Sequence, residues 1–416
     1  MRHWTILLLL LLFGCEAEIS EELQKERIPP QVNFSNHFSL QLADSLSIPL
    51  PKGIPNYLGL TDVLEEDKWY YYKFAPNKIA KVNLQEGTVD SIVLPKDFID
   101  GNLLSICRIG KDSVLLTHDL PAALILVAEK KNASYLYLPK IDFETNNTTF
   151  TSLSNSLPAD ESNFLLDHSS LHYEADKKQV YLGLQPYDAY RNPGFEKSQR
   201  VAVFDLKKEE WKKTFASPEG MLKFRGKGSY SYMMSQKTVL VKGDTTFVNY
   251  TNDHCIYYYI GGEYAGKFPH ISRQSKQLHL PLTPTEADDP EKIKYYTHAA
   301  PRYSSFHYHE KLRLYSRLYF DQQDPMDESG RYKARNLFRD VYVSFLDENF
   351  QHVGEFKFPN GSIPFRGAKA LSDGFIVFDP RHPSNSQLDL KQVYKIKPIE
   401  NLNQQEYAKI SEASSL

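Results

Sequence analysis

VAVFDLKKEEWKKTFASP, residues 201 to 218, is a short apolar run, a charged turn, a second run and a proline. Val, Phe, Trp and Thr favour a pleated strand, Lys-Lys-Glu-Glu favours a solvated turn, and proline ends the ladder because it has no N–H to donate. The segment therefore predicts an antiparallel hairpin with a hard stop. The same cadence returns in IAKVNLQEGTVDSIVLP (79 to 95), ALILVAEKKNASYLYLP (123 to 139), IYYYIGGEYAGKFPH (256 to 270) and VYVSFLDENFQHVGEFKFP (341 to 359). Two partial copies, FSLQLADSLSIPLP (38 to 51) and QVYKIKP (392 to 398), sit near the ends. Such self-similarity marks a repeat architecture.

Measured from Pro51, the stops at 95, 139, 218, 269, 359 and 398 define six intervals. Further strand-like runs lie upstream of the hairpins: KWYYYKF, LLSICRI with SVLLTH, SLHYEA with QVYLGL, SYSYMM with TVLVK, SFHYHE with LRLYSRLYF, and AKAL with GFIVF. Each interval thus offers about four short strands, the content of a propeller blade. Segments 140 to 163, 186 to 199, 281 to 300 and 321 to 338 are polar or Ser/Thr/Asn-rich and read as loops. The expectation is an all-β, six-bladed β-propeller, with seven blades as the alternative because a long interval could hold a degenerate one. The last interval is one strand short and 38 to 51 has a strand to spare, so the N-terminal strand is expected to close the last blade.

The 416 residues are 41% hydrophobic and 24% charged, with formal net charge -3, and include 27 Tyr and 24 Phe. A large core is affordable, and the charge balance supplies no electrostatic reason to propose nucleic acid as a partner. Met1 to Gly14 has a short polar start and the apolar run Ile6 to Phe13, too short to span a bilayer and suited to a signal-peptide core. Gly14-Cys15 at the end of that core resembles the lipobox of bacterial lipoproteins, in which the cysteine is acylated; the alternative is an ordinary secretory signal. Glu16 to Arg27 is charge-rich, as in a solvated tether. The expected organisation is a signal peptide over 1–14, an acidic tether over 15–32, the propeller over 33–400 and a polar tail over 401–416. Cys107 and Cys255 lie in apolar runs and are expected as buried thiols.

Candidate sites follow from the blade register. Phe-Arg-Gly occurs in KFRGKGS and PFRGAKA, which places Arg225 and Arg366 just ahead of innermost strands, with Arg302 in APRYSSF as a third. Three guanidiniums at one rim of the channel would bind carboxylate, sulfate or phosphate groups; the alternative is structural pairing between blades. YYTHAAPRYSSFHYHE adds Tyr303, His307 and His309, the last two on one face of a strand. With no third ligand in place, packing between blades or stacking on a sugar explains them better than a metal site. Nucleophile elbow, zinc-protease and phosphate-loop motifs are all missing from the sequence, so no catalytic residue, metal or cofactor is assigned.

The lipobox-like FGC, the acidic tether and the Tyr/Phe-rich units ending in LP or FP resemble uncharacterised six-bladed propeller lipoproteins of Bacteroidota. That resemblance implies a bacterial cell-envelope, outer-membrane protein held by lipid at Cys15. The residues then point to a binding or scaffolding module for an anionic glycan, peptide or partner protein. The alternative is a polysaccharide hydrolase or lyase using Tyr303, His307 or His309.

Overall fold

In a computed structural model of the chain, the described residues are 27–49, 61–63, 69–75, 78–83, 86, 88–93, 103–110, 113–119, 122–128, 134–139, 164–166, 171–186, 200–216, 237–278, 282, 286, 289–324, 326, 328–331, 339–358, 368–378 and 388–399. Strand β1 (Phe38–Pro49) comes first. Unit one is β2 (Thr61–Val63), β3 (Trp69–Ala75), β4 (Lys78–Asn83) and β5 (Val89–Val93). Unit two is β6 (Leu103–Gly110), β7 (Ser113–Asp119), β8 (Ala122–Ala128) and β9 (Ser134–Tyr137). Unit three has β10 (Phe164–Leu166) and β11 (His172–Glu174) both paired to β12 (Gln179–Pro186), followed by β13 (Arg200–Asp205) and β14 (Glu210–Ala216). Unit four is β15 (Lys237–Lys242), β16 (Thr245–Tyr250), β17 (Cys255–Ile260) and β18 (Glu263–Pro269). Helix α1 (Pro290–Ala299) precedes unit five: β19 (Arg302–His309), β20 (Leu314–Phe320), β21 (Val341–Leu346) and β22 (His352–Lys357). Unit six is β23 (Ala368–Leu371), β24 (Gly374–Phe378) and β25 (Leu388–Pro398), completed by β1.

Every unit is an antiparallel meander. First strands stand side by side around a closed circuit: β2 by β6, β6 by β11, β11 by β15, β15 by β19, β19 by β23, and β23 by β2. The protein is therefore an all-β, propeller-type toroid, with six such units among the described residues. The expected closure is present, since β1 pairs antiparallel with β25 from Phe38 opposite Pro398 to Pro49 opposite Leu388. It also touches β22 in parallel at Phe38 and Gly354, joining units five and six into one eight-stranded sheet. A Cβ at position 354 would stand 2.7 Å from the Phe38 carbonyl oxygen, so this approach needs the glycine.

Units pack face to face. Strand β20 shows why polarity does not alternate along an inner strand: Leu314, Leu318 and Phe320 join Phe375, Val377 and Tyr394 on one side, while Tyr315 joins Phe247, Ile256 and Phe268 on the other. Full burial of each such side chain contributes about 1.5–3 kcal/mol. Units two and three share a cluster around Leu124, Leu182 and Phe204, and units three and four another around Val203, Val248 and Tyr257.

TTFVNY, which the sequence reading leaves unassigned, is strand β16, and β15 is the first described strand of unit four. Within 281 to 300, expected as loop, α1 forms because the Asp289 carboxylate accepts the N–H groups of Glu291 (2.9 Å) and Lys292 (3.3 Å), with Pro290 in the first turn. Residues 27–32, assigned to the tether, include Arg27 buried against the body. Cys107 is buried, Cys255 half-buried, and both are free thiols in units two and four. Cys15, Arg225 and Arg366 lie outside the described residues.

Candidate functional site

The chain from Arg27 to His37 forms a strap over the seam between units four and five. At one end the Arg27 guanidinium donates to the Asn252 carbonyl (2.7 Å), and the Arg27 carbonyl accepts from Leu278 N–H (3.0 Å) and His254 Nε2 (3.0 Å). At the other, Ser35 bonds both ways with His352: its hydroxyl donates to the His352 carbonyl, and its carbonyl accepts from His352 Nδ1 (3.2 Å). His37 then donates to Val353 (2.6 Å) and accepts from Ile399 N–H (2.7 Å), delivering the chain into β1. Between these ends the side chains alternate. Val32 and Phe34 pack on Ile271, Leu278, Tyr303 and Tyr319, whereas Gln31 and Asn33 are exposed.

Two cross-strand rows of unit five face this seam. One is Phe306, Arg317, Ser344 and Glu355; the next is Tyr303, Tyr319, Tyr342 and Lys357. Arg317 is buried and spends all five donors: Nε on the Asn249 amide oxygen (2.8 Å), one terminal nitrogen on the carbonyls of His254 (3.1 Å) and His270 (2.7 Å), the other on Tyr250 (3.1 Å) and Asp253 (2.6 Å). Its guanidinium carbon lies 3.6 Å from the centroid of the Tyr303 ring. Burial lowers the Arg317 pKa to about 10, with Tyr303 and Asp253 opposing the shift. This arginine is a clamp that fixes the 250–254 turn and the start of the 270–278 loop on unit five.

Tyr303 anchors that loop from the other side. Because the Arg27 carbonyl can only accept, His254 carries its proton on Nε2, and Nδ1 accepts from the Tyr303 hydroxyl (2.8 Å). The Tyr303 oxygen then accepts from Ser275 Oγ (2.7 Å), which in turn accepts Ser272 N–H (3.0 Å). Burial lowers the His254 pKa to about 4, against the Arg27 carbonyl bond and Asp253. Lys276 N–H bonds the Tyr319 hydroxyl (3.1 Å). Glu355 accepts Arg273 N–H (2.8 Å) and bonds Ser272; burial raises its pKa against those bonds.

Of the expected site residues, Arg302, Tyr303, His307 and His309 are described, and Arg302, Tyr303 and His309 are buried. Arg302 opens β19 but is only 1% exposed, with its guanidinium carbon 5.9 Å from the centroid of the Phe320 ring, rather than standing free on a rim. His307 and His309 do share a face, and both rings lie near Phe375 of unit six. His309 is saturated by the Leu371 carbonyl (2.7 Å) and Ser316 Oγ (2.8 Å); burial lowers the His307 pKa to about 3, with His309 and Lys369 adding to it. Their role here is packing between units. Among the described residues no three His, Cys, Asp or Glu side chains are grouped to hold a metal. Sequence reasoning passed over Arg317, whose signal was a charge in the middle of the apolar strand run LYSRLYF (314–320).

Beside the strap lies a cleft of ≈ 570 Å³, walled by Pro29 to Phe34 on one side and Ile271, Ser272, Arg273 and Ser275 on the other. The Arg273 guanidinium lies over Phe34 at 5.2 Å and donates to Asn36 Oδ1 (3.0 Å). Phe34 also meets the His352 ring edge-to-face, with centroids 4.5 Å apart.

No protein-family model matches the chain, and no curated protein matches it. Among solved structures it is similar to a member of the DUF4221 family from Bacteroides vulgatus, at TM-score 0.65 and 13% identity over 88% of this chain and 100% of that one. At that identity the likeness speaks to the fold alone. Looser matches are the β-propeller domain of Cps50 (Swd1) from Myceliophteria thermophila (TM-score 0.39, 10% identity, 79% of this chain and 80% of that one) and a luciferin-regenerating enzyme (0.43, 7%, 86% and 96%).

Proposed function

We propose that this protein is a six-bladed propeller that binds or scaffolds a partner at the bacterial cell envelope, held to the outer membrane by lipid on Cys15, and we favour this over the hydrolase or lyase reading. One observation favours the binding reading: two of the three side chains named for acid–base chemistry, Tyr303 and His309, are engaged inside the fold. Both nitrogens of His254 and of His309 are hydrogen-bonded, and Tyr303 is buried beneath the strap. A hydrolase or lyase using Tyr303, His307 or His309 would need one of them on an open pocket.

The partner is an anionic glycan, peptide or protein, read by the arginines at 225 and 366. A screen of anionic glycans and peptides against the full chain, repeated with Arg225→Ala plus Arg366→Ala, tests this. Binding lost in the double variant supports the arginine rim, and binding that survives unchanged moves the ligand elsewhere. Fatty-acid labelling of wild type and Cys15→Ser tests the anchor; equal labelling ends the lipoprotein proposal.

A further inference from the structure

The strap-side cleft has three properties that belong together. From Gln31 to Phe34 the side chains alternate as on a strand, Val32 and Phe34 turned inward and Gln31 and Asn33 outward, yet among the described residues no main-chain hydrogen bond is made by these four. This stretch is a strand edge in all but a partner. Arg273, on the facing wall, has no carboxylate on its guanidinium: Asn36 takes one donor, and Glu355 takes only the main-chain N–H. The cleft volume falls within the range of ligand sites, about 300–1,000 Å³.

We propose that this cleft captures an extended acidic peptide, which adds as a strand along Gln31 to Phe34 and sets a carboxylate on Arg273. Main-chain pairing supplies affinity in this mode, and the side-chain pocket supplies selection. The guanidinium offers a planar fork matched to a carboxylate, and its stacking on Phe34 holds that fork in place. The exposed amides of Gln31 and Asn33 add neutral donors and acceptors that suit a peptide backbone. A sugar is disfavoured, because Phe34 is already engaged by both the Arg273 guanidinium and the His352 ring rather than offered as a stacking platform.

This inference rests on the binding-module reading but places a site away from Arg225 and Arg366. It is tested with the full chain and three capped pentapeptides, acetyl-Thr-Val-Glu-Val-Thr-amide and its Gln and Lys analogues, with a galacturonate trimer as the glycan arm. Affinity is read by calorimetry and strand pairing by hydrogen exchange at 31–34. The expected result is binding of the Glu peptide with increased protection of those amides, about tenfold weaker binding of the Gln analogue and weaker still of the Lys analogue. Arg273→Ala should bring the Glu and Gln peptides level, and Arg273→Lys should recover part of the difference. Four results would each overturn the proposal: no binding of the Glu peptide at millimolar concentration, a Glu preference that survives Arg273→Ala, binding without protection at 31–34, or the trimer protecting those amides better than the peptide. If the peptides fail while the Arg225 and Arg366 screen responds, the cleft proposal falls alone; if both fail, the binding-module reading falls with it.

Discussion

Replacing Arg317 by Met keeps an unbranched side chain of similar reach and removes five donors at once. Two of the five acceptors keep another partner: the Tyr250 carbonyl also receives Asp253 N–H (3.3 Å), and the His254 carbonyl receives His270 N–H (3.0 Å). The carbonyls of Asp253 and His270 and the amide oxygen of Asn249 lose the guanidinium bonds that face them into the seam. A buried acceptor left without a partner costs about 1–3 kcal/mol, so three cost roughly 3–6 kcal/mol after allowing for partial relaxation. Relief of the guanidinium's desolvation, visible in its lowered pKa, returns part of that. The expected net loss is about 3 kcal/mol, a large share of the 5–15 kcal/mol typical of a folded protein. Urea unfolding followed by circular dichroism gives the total, and hydrogen exchange at 250–254 and 270 gives its location. A loss below about 1 kcal/mol, or Arg317→Lys as stable as wild type, would show that the five bonds do not hold the seam.

Acid should unfold the protein steeply. Burial, the largest cause in each case, lowers His172, His254 and His352 to about 4 and His307 to about 3 from an ordinary 6.5. The unfolded chain therefore takes up these protons first: stability is full above about pH 6.5 and falls as pH drops toward 4, by up to about 1.4 kcal/mol per pH unit for each histidine. Linked proton uptake below two per molecule near pH 5 would contradict this. Gly354→Ala should push the Phe38 carbonyl away and cost about 1–3 kcal/mol, with faster proteolysis in 38–49; an unchanged melting temperature and cleavage rate would show that β1 yields without cost. Phe34→Ala should loosen the strap by about 1–3 kcal/mol and speed exchange at Leu278 N–H, whose acceptor is the Arg27 carbonyl; unchanged exchange there would separate the two ends of the strap.

Architecture was legible where local chemistry repeats. The hairpin at 201 to 218 is β13 and β14, that at 341 to 359 is β21 and β22, and the spare strand at 38 to 51 closes unit six. Pattern failed where a strand was too plain or a helix too short. TTFVNY, between Gly243-Asp244 and Asn252-Asp253, has no apolar run long enough to stand out from its polar flanks, yet it forms β16. The ten-residue α1 has no strong apolar stripe, and its Asp-Pro-Glu start was the available signal. Site residues were harder, because an arginine in a sequence looks the same whether it faces solvent or a cage of carbonyls. Arg302 follows a proline and Arg317 interrupts an apolar run, but only tertiary register shows that Arg317 meets five acceptors and that Arg302 is enclosed. The strap could not be inferred locally at all, since its anchors at Asn252, His254 and His352 lie hundreds of residues away.

Pairing Phe38 with Pro398 also dictates an order of assembly. A chain emerging from its N-terminus holds β1 and the strap from the outset but cannot place either. The strap waits for the 250–278 segment and the closing ladder for β25. Joining ends so far apart costs about 5 kcal/mol by the logarithmic loop-closure rule, so the last ladder becomes favourable only when earlier units have already brought its halves together. Until then β25 carries an unpaired outer edge and β1 is a loose strand of matching register. A second copy of the protein could satisfy both by exchanging N-terminal arms, so newly made or partly unfolded chains should be most prone to arm-swapped dimers, through the same ladder that later seals the monomer.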